Sequence, residues 1–303
     1  MPLEHFKTWN QWLDYIGNPV IRPKGPEWIV GDPTFVPPNE SPDGKWHLFA
    51  HGIIFGINHF ISNDGLKWIN IHRKVDSGMR AFLYKEDNLY YLFYQKDLSL
   101  FKSSIVYRTS SDLYNWSEAR TVLVPSLPWE GKSDRKISNP CLLKVDGKYR
   151  LYYSGGTVFL WDCLFAEPKH IGYAEAKRIE GPYVKNPQPI ISPSKTQNYR
   201  NIAAGAMKVL KIGDSWIGLN NTIYTDKTRH SRSSIFLLYS DDGIKWTRIF
   251  KKPIIYPTNG WKRAFTYQLD IKKVDRKYWL YYNARDGWVI GWESIGLAIL
   301  NPK

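Results

Sequence analysis

Seven carboxyl groups fall in polar or aromatic-rich segments of this chain: Asp32, Asp134, Asp162, Glu167, Asp226, Asp286 and Glu293. Two carboxyls in one cleft, one protonated and one ionised, can divide general acid and general base work between them. Asp32 stands in Gly31-Asp32-Pro33, where the plainer role is a strand cap. Glu293 follows Trp292 and leads into an apolar run, surroundings that raise a carboxyl pKa; a structural pairing with Arg285 is the competing role. Asp134, with Arg135, lies just upstream of Asn139, and Asp286 in Arg285-Asp286-Gly287-Trp288 either binds a ligand or caps a loop. His51 and His170 suit hydrogen bonds to hydroxyl groups, or a metal-bound water, or an ordinary structural place. Trp161, Trp288 and Trp292 offer flat apolar faces, while Arg80, Lys96, Arg135, Arg229, His230 and Arg285 would make a shared cleft basic.

Composition narrows the chemistry further. Aromatic residues form 16% of the 303 positions, with 14 Trp and 20 Tyr, which favours strands and provides platforms for sugar rings or nucleobases. The formal charge of +14 points to an anionic partner, yet the basic residues are scattered through strand-turn positions such as Lys67, Lys245 and Lys277. No nucleic-acid motif or dense basic run accompanies them, so nucleic acid is not expected as a partner. Cys141 and Cys163 cannot make a disulfide framework or a metal site of CxxC type. The start, Met1-Pro2-Leu3-Glu4, shows no signal-peptide pattern, and no apolar stretch reaches membrane-spanning length. A cytoplasmic location with no membrane partner is the expectation.

The elements that must position these residues announce themselves by repetition. Ser62-Asn63-Asp64-Gly65-Leu66-Lys67-Trp68 returns as Ser110-Ser111-Asp112-Leu113-Tyr114-Asn115-Trp116 and as Ser240-Asp241-Asp242-Gly243-Ile244-Lys245-Trp246. Asp-Gly in a short polar gap between apolar runs is a hairpin signal. A second phrase recurs at Gly44–Ala50, Asn88–Tyr94, Gly147–Tyr153, Asp214–Leu219 and Arg276–Tyr282, each copy preceded by a short apolar strand. Inner strand, aromatic strand, third strand and outer strand, repeated about every 45 to 65 residues, predict an all-β, five-bladed β-propeller of four-stranded antiparallel blades. The expected blades cover about 31–77, 78–130, 131–190, 200–255 and 262–300, all in one domain over 1–303. The last unit lacks an outer strand, and Trp9–Ile21 is the candidate to close it.

In this strand order the inner-strand starts, the second-strand ends and the loops after them share one face. Five long loops are expected there, at 51–58, 95–103, 154–170, 220–232 and 283–293, around a central mouth. The inner-strand starts that line it read Gly31-Asp32-Pro33, Met79-Arg80-Ala81, Ser138-Asn139-Pro140, Ala204-Gly205-Ala206 and Tyr267-Gln268.

In these motifs, in Asn18-Pro19-Val20-Ile21, Asp146-Gly147-Lys148-Tyr149 and Glu180-Gly181-Pro182-Tyr183, the chain resembles the glycoside hydrolase family 43 superfamily, with relatives in families 32, 62, 117 and 130. The resemblance implies a glycosidase with Asp32 as the general base that activates water, probing an oligosaccharide or polysaccharide that the basic mouth would allow to be anionic. It also implies an aspartate where this chain has Asn139, and a glutamate opening the fourth blade, where Asn201-Ile202-Ala203-Ala204-Gly205-Ala206 holds no carboxylate. An inverting reaction needs two carboxyls about 6.5–9.5 Å apart. Glu293 is the first candidate for the missing acid and Asp134 the second. Substrate binding is expected of His51, Arg80, Arg135, Asn139, Trp161, His170, Tyr267, Gln268, Arg285 and Asp286. No cofactor is expected, with a structural divalent ion in the channel left open. The alternatives are a catalytically silent glycan-binding propeller and a glycoside phosphorylase on the same fold.

Overall fold

The structure, a computed structural model, describes residues 6–302. A two-residue strand, β1 (Leu13–Asp14), comes first. β2 (Gly31–Val36), β3 (Trp46–Gly52), β4 (Gly56–Ser62) and β5 (Ile69–Asp76) then form one four-stranded antiparallel sheet. The same order is repeated by β6 (Met79–Glu86), β7 (Leu89–Ser99), β8 (Lys102–Ser110) and β9 (Arg120–Leu123), and by β10 (Ile137–Val145), β11 (Lys148–Leu160), β12 (Phe165–Ala176) and β13 (Val184–Lys185). The remaining strands are β14 (Ala203–Ile212), β15 (Ser215–Thr225), β16 (Ser231–Ser240), β17 (Thr247–Arg248), β18 (Phe265–Val274), β19 (Lys277–Arg285) and β20 (Glu293–Leu300). With β1 they make an eight-stranded sheet. Within it, β14–β17 and β18–β20 with β1 are antiparallel sets joined by one parallel bridge, Ser233 to Phe265. Helix accounts for 3% of the residues and strand for 55%, so the all-β architecture is secure.

The recurring Ser-x-Asp phrase works the same way three times. Asp64 Oδ1 accepts the backbone N–H groups of Leu66 and Lys67, both at 2.8 Å. Asp112 and Asp242 do the same for the residues two and three places on. A local acceptor thus satisfies turn donors that the sheet cannot. The residue after the aspartate is left-handed in each copy, at Gly65, Leu113 and Gly243.

Buried aromatic and aliphatic side chains from adjoining sheets interlock. Phe35, Trp46 and Leu48 pack with Tyr281, Ile295 and Leu297, which brings the last strands against the first sheet. Asp270 reinforces the same seam: its Oδ2 accepts the Thr34 hydroxyl at 2.9 Å and the Phe35 N–H at 3.0 Å. Thr34 Oγ1 in turn accepts the N–H of Leu83 in the second sheet. The segment between Trp9 and Ile21 closes the last set as expected, with Leu13–Asp14 paired to Ala298–Ile299 and Ile21 bridged to Ile295.

Two expectations need correction. Of the segments read as long mouth loops, 283–293 is one, with residues 286–292 between β19 and β20. The others are mostly strand, because β7, β11, β12, β15 and β16 continue pairing well beyond the repeat; the third hairpin, for example, is paired as far as Leu160–Phe165. Only short tips remain between the strands of those four. The inner strands also start earlier than their apolar runs, because each carries a bulge. Register shifts fall between Gly31 and Thr34, Met79 and Phe82, Ser138 and Cys141, Ala203 and Ala206, and Thr266 and Leu269. Bulges re-aim side chains, and these five sit side by side at one end of the molecule.

Candidate active site

The bulges line a cavity of about 540 Å³. Asp32, Arg80 and Asn139 occupy equivalent bulge positions with φ of 49°, 57° and 52°, left-handed backbone that an ordinary residue takes up only when its surroundings impose it. The fourth equivalent is Gly205, at φ 65°. A Cβ there would come within 2.1 Å of the Asn221 carbonyl oxygen, so no side chain, acidic or otherwise, fits that position. The chemistry of the fourth position must come from elsewhere.

Asp32 is almost fully buried at the cavity wall. Its Oδ2 lies 3.3 Å from His51 Nδ1 and 3.9 Å from Arg80 Nε. The His51 contact lacks the alignment of a hydrogen bond, since Nδ1 has no hydrogen-bond partner. Burial, more than anything else, pushes the His51 pKa down, so the neutral imidazole is favoured beside the carboxylate.

Glu293 is held on the wall that carries Asp32. Asn283 bridges them: its Oδ1 accepts the Asp32 N–H at 3.1 Å and its Nδ2 donates to Glu293 Oε1 at 2.5 Å. The same Oε1 fills the space beside Gly31 where a Cβ would sit, at 2.6 Å. Burial, then the charge of Asp32, push the Glu293 pKa up to about 8, against the opposing pull of Arg285 and Asn283. Arg285 reaches this group only through its field. It is buried behind the cavity, over the Phe165 ring at 4.5 Å, with Nε donating to the Gly287 carbonyl.

Glu167 comes from β12 in the third sheet and lines the same cavity. Burial raises its pKa to about 7, opposed first by Arg80, with Asp32 pushing further up and a hydrogen bond from Tyr267 pulling down. Tyr267 stacks on Phe265 and is itself buried, which fixes the hydroxyl. Three carboxyls therefore share one field, and two of them hold a proton at pH values where an ordinary carboxyl has lost it. Around them Gln268 Nε2 donates to Asn139 Oδ1 at 3.2 Å, and Arg80 to Gln95 Oε1 at 3.2 Å. Lys136 adds a second cation to the lining.

The cavity thus unites seven residues expected from the sequence: Asp32, Glu293, His51, Arg80, Asn139, Tyr267 and Gln268. Six others stand outside its lining. Asp134 accepts the Thr157 hydroxyl behind the wall, because the β11 extension covers it. Arg135 turns out to solvent and donates to the Lys132 carbonyl. His170 lies on the side of β12 that packs on Trp129 and bonds Ser192. Trp161 is at a hairpin tip, 81% exposed. Asp286 caps the β19–β20 turn by accepting the Trp292 N–H, and Arg285 is held behind the Phe165 ring. Glu167, Asn283, Gln95 and Lys136 were not singled out for roles. Reading 154–170 as a paired hairpin would have brought Glu167 to the wall. Among the described residues no group of three or more His, Cys, Asp or Glu side chains is arranged to hold a metal ion.

The family model described as glycosyl hydrolases family 43 matches residues 79–217. Among curated proteins none matches in sequence. Solved structures match over nearly the whole chain. The catalytic domain of the Coprinopsis cinerea GH62 α-L-arabinofuranosidase is 15% identical with a TM-score of 0.69, covering 95% of this chain and 96% of that one. The Cellvibrio cellulosa α-L-arabinanase is 15% identical with a TM-score of 0.62, covering 88% and 91%. An N-acetylgalactosamine deacetylase from F. plautii, solved with blood group B trisaccharide, is 12% identical with a TM-score of 0.65, covering 92% and 95%. At these identities the structural likeness speaks for the fold, and the sequence match spans less than half of the chain.

Proposed function

We propose that the chain is a member of the glycoside hydrolase family 43 superfamily and that its cavity cleaves glycosidic bonds by an inverting displacement with Asp32 as general base. The observation that carries the reading is the grouping of Asp32 with two buried, protonation-prone glutamates in one cavity. In the step, Asp32 takes a proton from water as its oxygen bonds to the anomeric carbon. The glycosidic C–O bond breaks, and a carboxylic acid gives the departing oxygen its proton. Glu167 is assigned that donation. Base and acid act on opposite faces of the sugar in inversion, and Glu167 is delivered from a different sheet, whereas Asn283 ties Glu293 to the backbone of Asp32 itself. Glu293 as donor is the second reading, favoured by its higher pKa. Asp134, covered by Thr157, has no part in either.

The architecture supporting this site is read as one five-bladed propeller over the whole chain, since a single parallel bridge joins the two antiparallel sets of the eight-stranded sheet. Sugar hydroxyls would meet Asn139, Gln268, Gln95 and His51. Arabinofuranosides are the first substrates to try, given the similarity to an α-L-arabinofuranosidase and an α-L-arabinanase. Arg80 and Lys136 in the lining also favour, as the other reading, a phosphorylase that holds inorganic phosphate. The test is product analysis with a panel of oligosaccharides and aryl glycosides, with and without phosphate. Free sugar released without phosphate supports hydrolysis. Sugar phosphate formed only with phosphate supports phosphorolysis, and binding without turnover supports a silent propeller.

A further inference from the structure

Apolar exposure on this molecule is concentrated at the cavity mouth. Of 19 large hydrophobic side chains exposed among the described residues, 13 fall at 28, 53–55, 98–101, 159–164 and 289–292. Apart from Trp28, which precedes β2, these are the tips of the β3–β4, β7–β8, β11–β12 and β19–β20 hairpins. Register places all four tips on one face, because Gly31 pairs with His51, Met79 with Gln95, Ile137 with Gly155 and Phe265 with Arg285, at the cavity end of each sheet. The tips carry Ile54, Phe55, Leu100, Phe101, Trp161 and Ile290, the last 89% exposed. Soluble surfaces scatter single apolar residues; a ring of them around one opening marks an interaction face.

Its chemistry selects the occupant. Isoleucine and leucine have no flat π face for a sugar ring, so an extended glycan would leave most of the ring in water. A second copy seated mouth to mouth would bring two chains of formal charge +14 together. A lipid surface meets both objections: aliphatic and Trp side chains on separate tips enter the headgroup boundary, and positive charge is drawn to anionic lipid. Basic side chains stand where headgroups would lie. The remaining tip, between β15 and β16, exposes Lys227, Arg229 and His230. Exposed Arg135 is bridged to Lys102 beside Phe101.

We propose that the mouth face docks on an anionic lipid bilayer, so that the cavity opens onto glycans carried on lipid. Only the nature of the cavity's substrate rests on the glycosidase reading; the docking does not. It is peripheral attachment, which the absence of a membrane-length apolar stretch does not address. The test is sedimentation of the full chain with phosphatidylcholine vesicles, with and without phosphatidylglycerol, beside a triple variant Ile54→Ser, Phe101→Ser, Ile290→Ser. The wild type sediments with anionic vesicles, more weakly at high salt, and the triple variant binds about 100-fold more weakly. The variant hydrolyses a soluble aryl glycoside as fast as the wild type. Ile290→Ser alone, about tenfold weaker, serves if the triple variant does not fold. Wild type left in the supernatant overturns the proposal, as does a variant that binds vesicles undiminished. So does a wild-type dimer in light scattering that the variant dissolves, or a loss of affinity for soluble polysaccharide instead of vesicles. Vesicle binding without any glycoside turnover would leave the docking standing and remove the hydrolase reading.

Discussion

Replacing Glu167 by glutamine removes a proton donor while keeping the size of the side chain and a partner for the Tyr267 hydroxyl. With a pKa of about 7, Glu167 is protonated in about half of the molecules at neutral pH. A glutamate at its ordinary value of 4.5 would be protonated about once in 300 at pH 7. Burial and Asp32 therefore supply a gain of about 150-fold in the active form, and the donation itself is worth roughly 10²–10⁴-fold. The loss should depend on the leaving group. Steady-state kcat/KM of Glu167→Gln should fall by about that factor on an alkyl glycoside or oligosaccharide, but less than about tenfold on a dinitrophenyl glycoside, which departs without a proton. The groups facing Glu167 are Arg80 on β6, Asp32 on β2, Tyr267 on β18, Arg285 on β19 and Glu293 on β20. With these in place, wild-type kcat/KM should decline as pH rises past about 7, and the variant should lose that decline. An equal loss on both substrates refutes Glu167 as donor. If the leaving-group dependence appears in Glu293→Gln instead, the donation belongs to Glu293.

Glu293→Gln should stabilise the protein at alkaline pH. A carboxyl raised to about 8 in the folded state contributes stability fully at pH 4 and loses it as pH rises through 8, so the variant should gain a few kcal/mol at pH 9 and nothing at pH 4, read by urea unfolding. A variant with the wild-type pH profile of stability would contradict the assignment. Asp270→Ala should lower stability by about 3–5 kcal/mol, because it strands the Thr34 hydroxyl and the Phe35 N–H at the seam between the last strands and the first sheet. A Tm unchanged within error would show that the seam does not depend on it.

Much of the fold was legible because its units repeat the same local solutions. The Ser-x-Asp turn and the aromatic second strand depend on near neighbours, so Asp64, Asp112 and Asp242 could be matched by eye before any contact was known. The bulges were not legible. Asp32, Arg80 and Asn139 take left-handed backbone at the bulges although none is glycine, so residue type gives no local signal for it. Hairpin length was equally hidden, since Thr157 to Leu160 continue the pairing of β11 without any repeat to mark it. That error left Glu167 in a loop and gave Asp134 an open place that Thr157 in fact covers. Asp32 and Glu293, which both line the cavity, carry signals that local sequence shows: a carboxyl at an inner-strand start and a carboxyl between Trp292 and an apolar strand. The Asn283 link between them is a contact of |i−j| 251 to Asp32, beyond the reach of local pattern.

The central claim is that Asp32 activates water in this cavity, and one comparison tests it most directly. Wild type and Asp32→Asn should be assayed on the same arabinofuranosyl substrate, with the first-formed anomer followed by NMR. The prediction is a product of inverted configuration from the wild type and a rate roughly 10²–10⁴-fold lower in the variant, with folding intact. Undiminished hydrolysis by Asp32→Asn, or a product that retains the configuration of the substrate, would contradict the account.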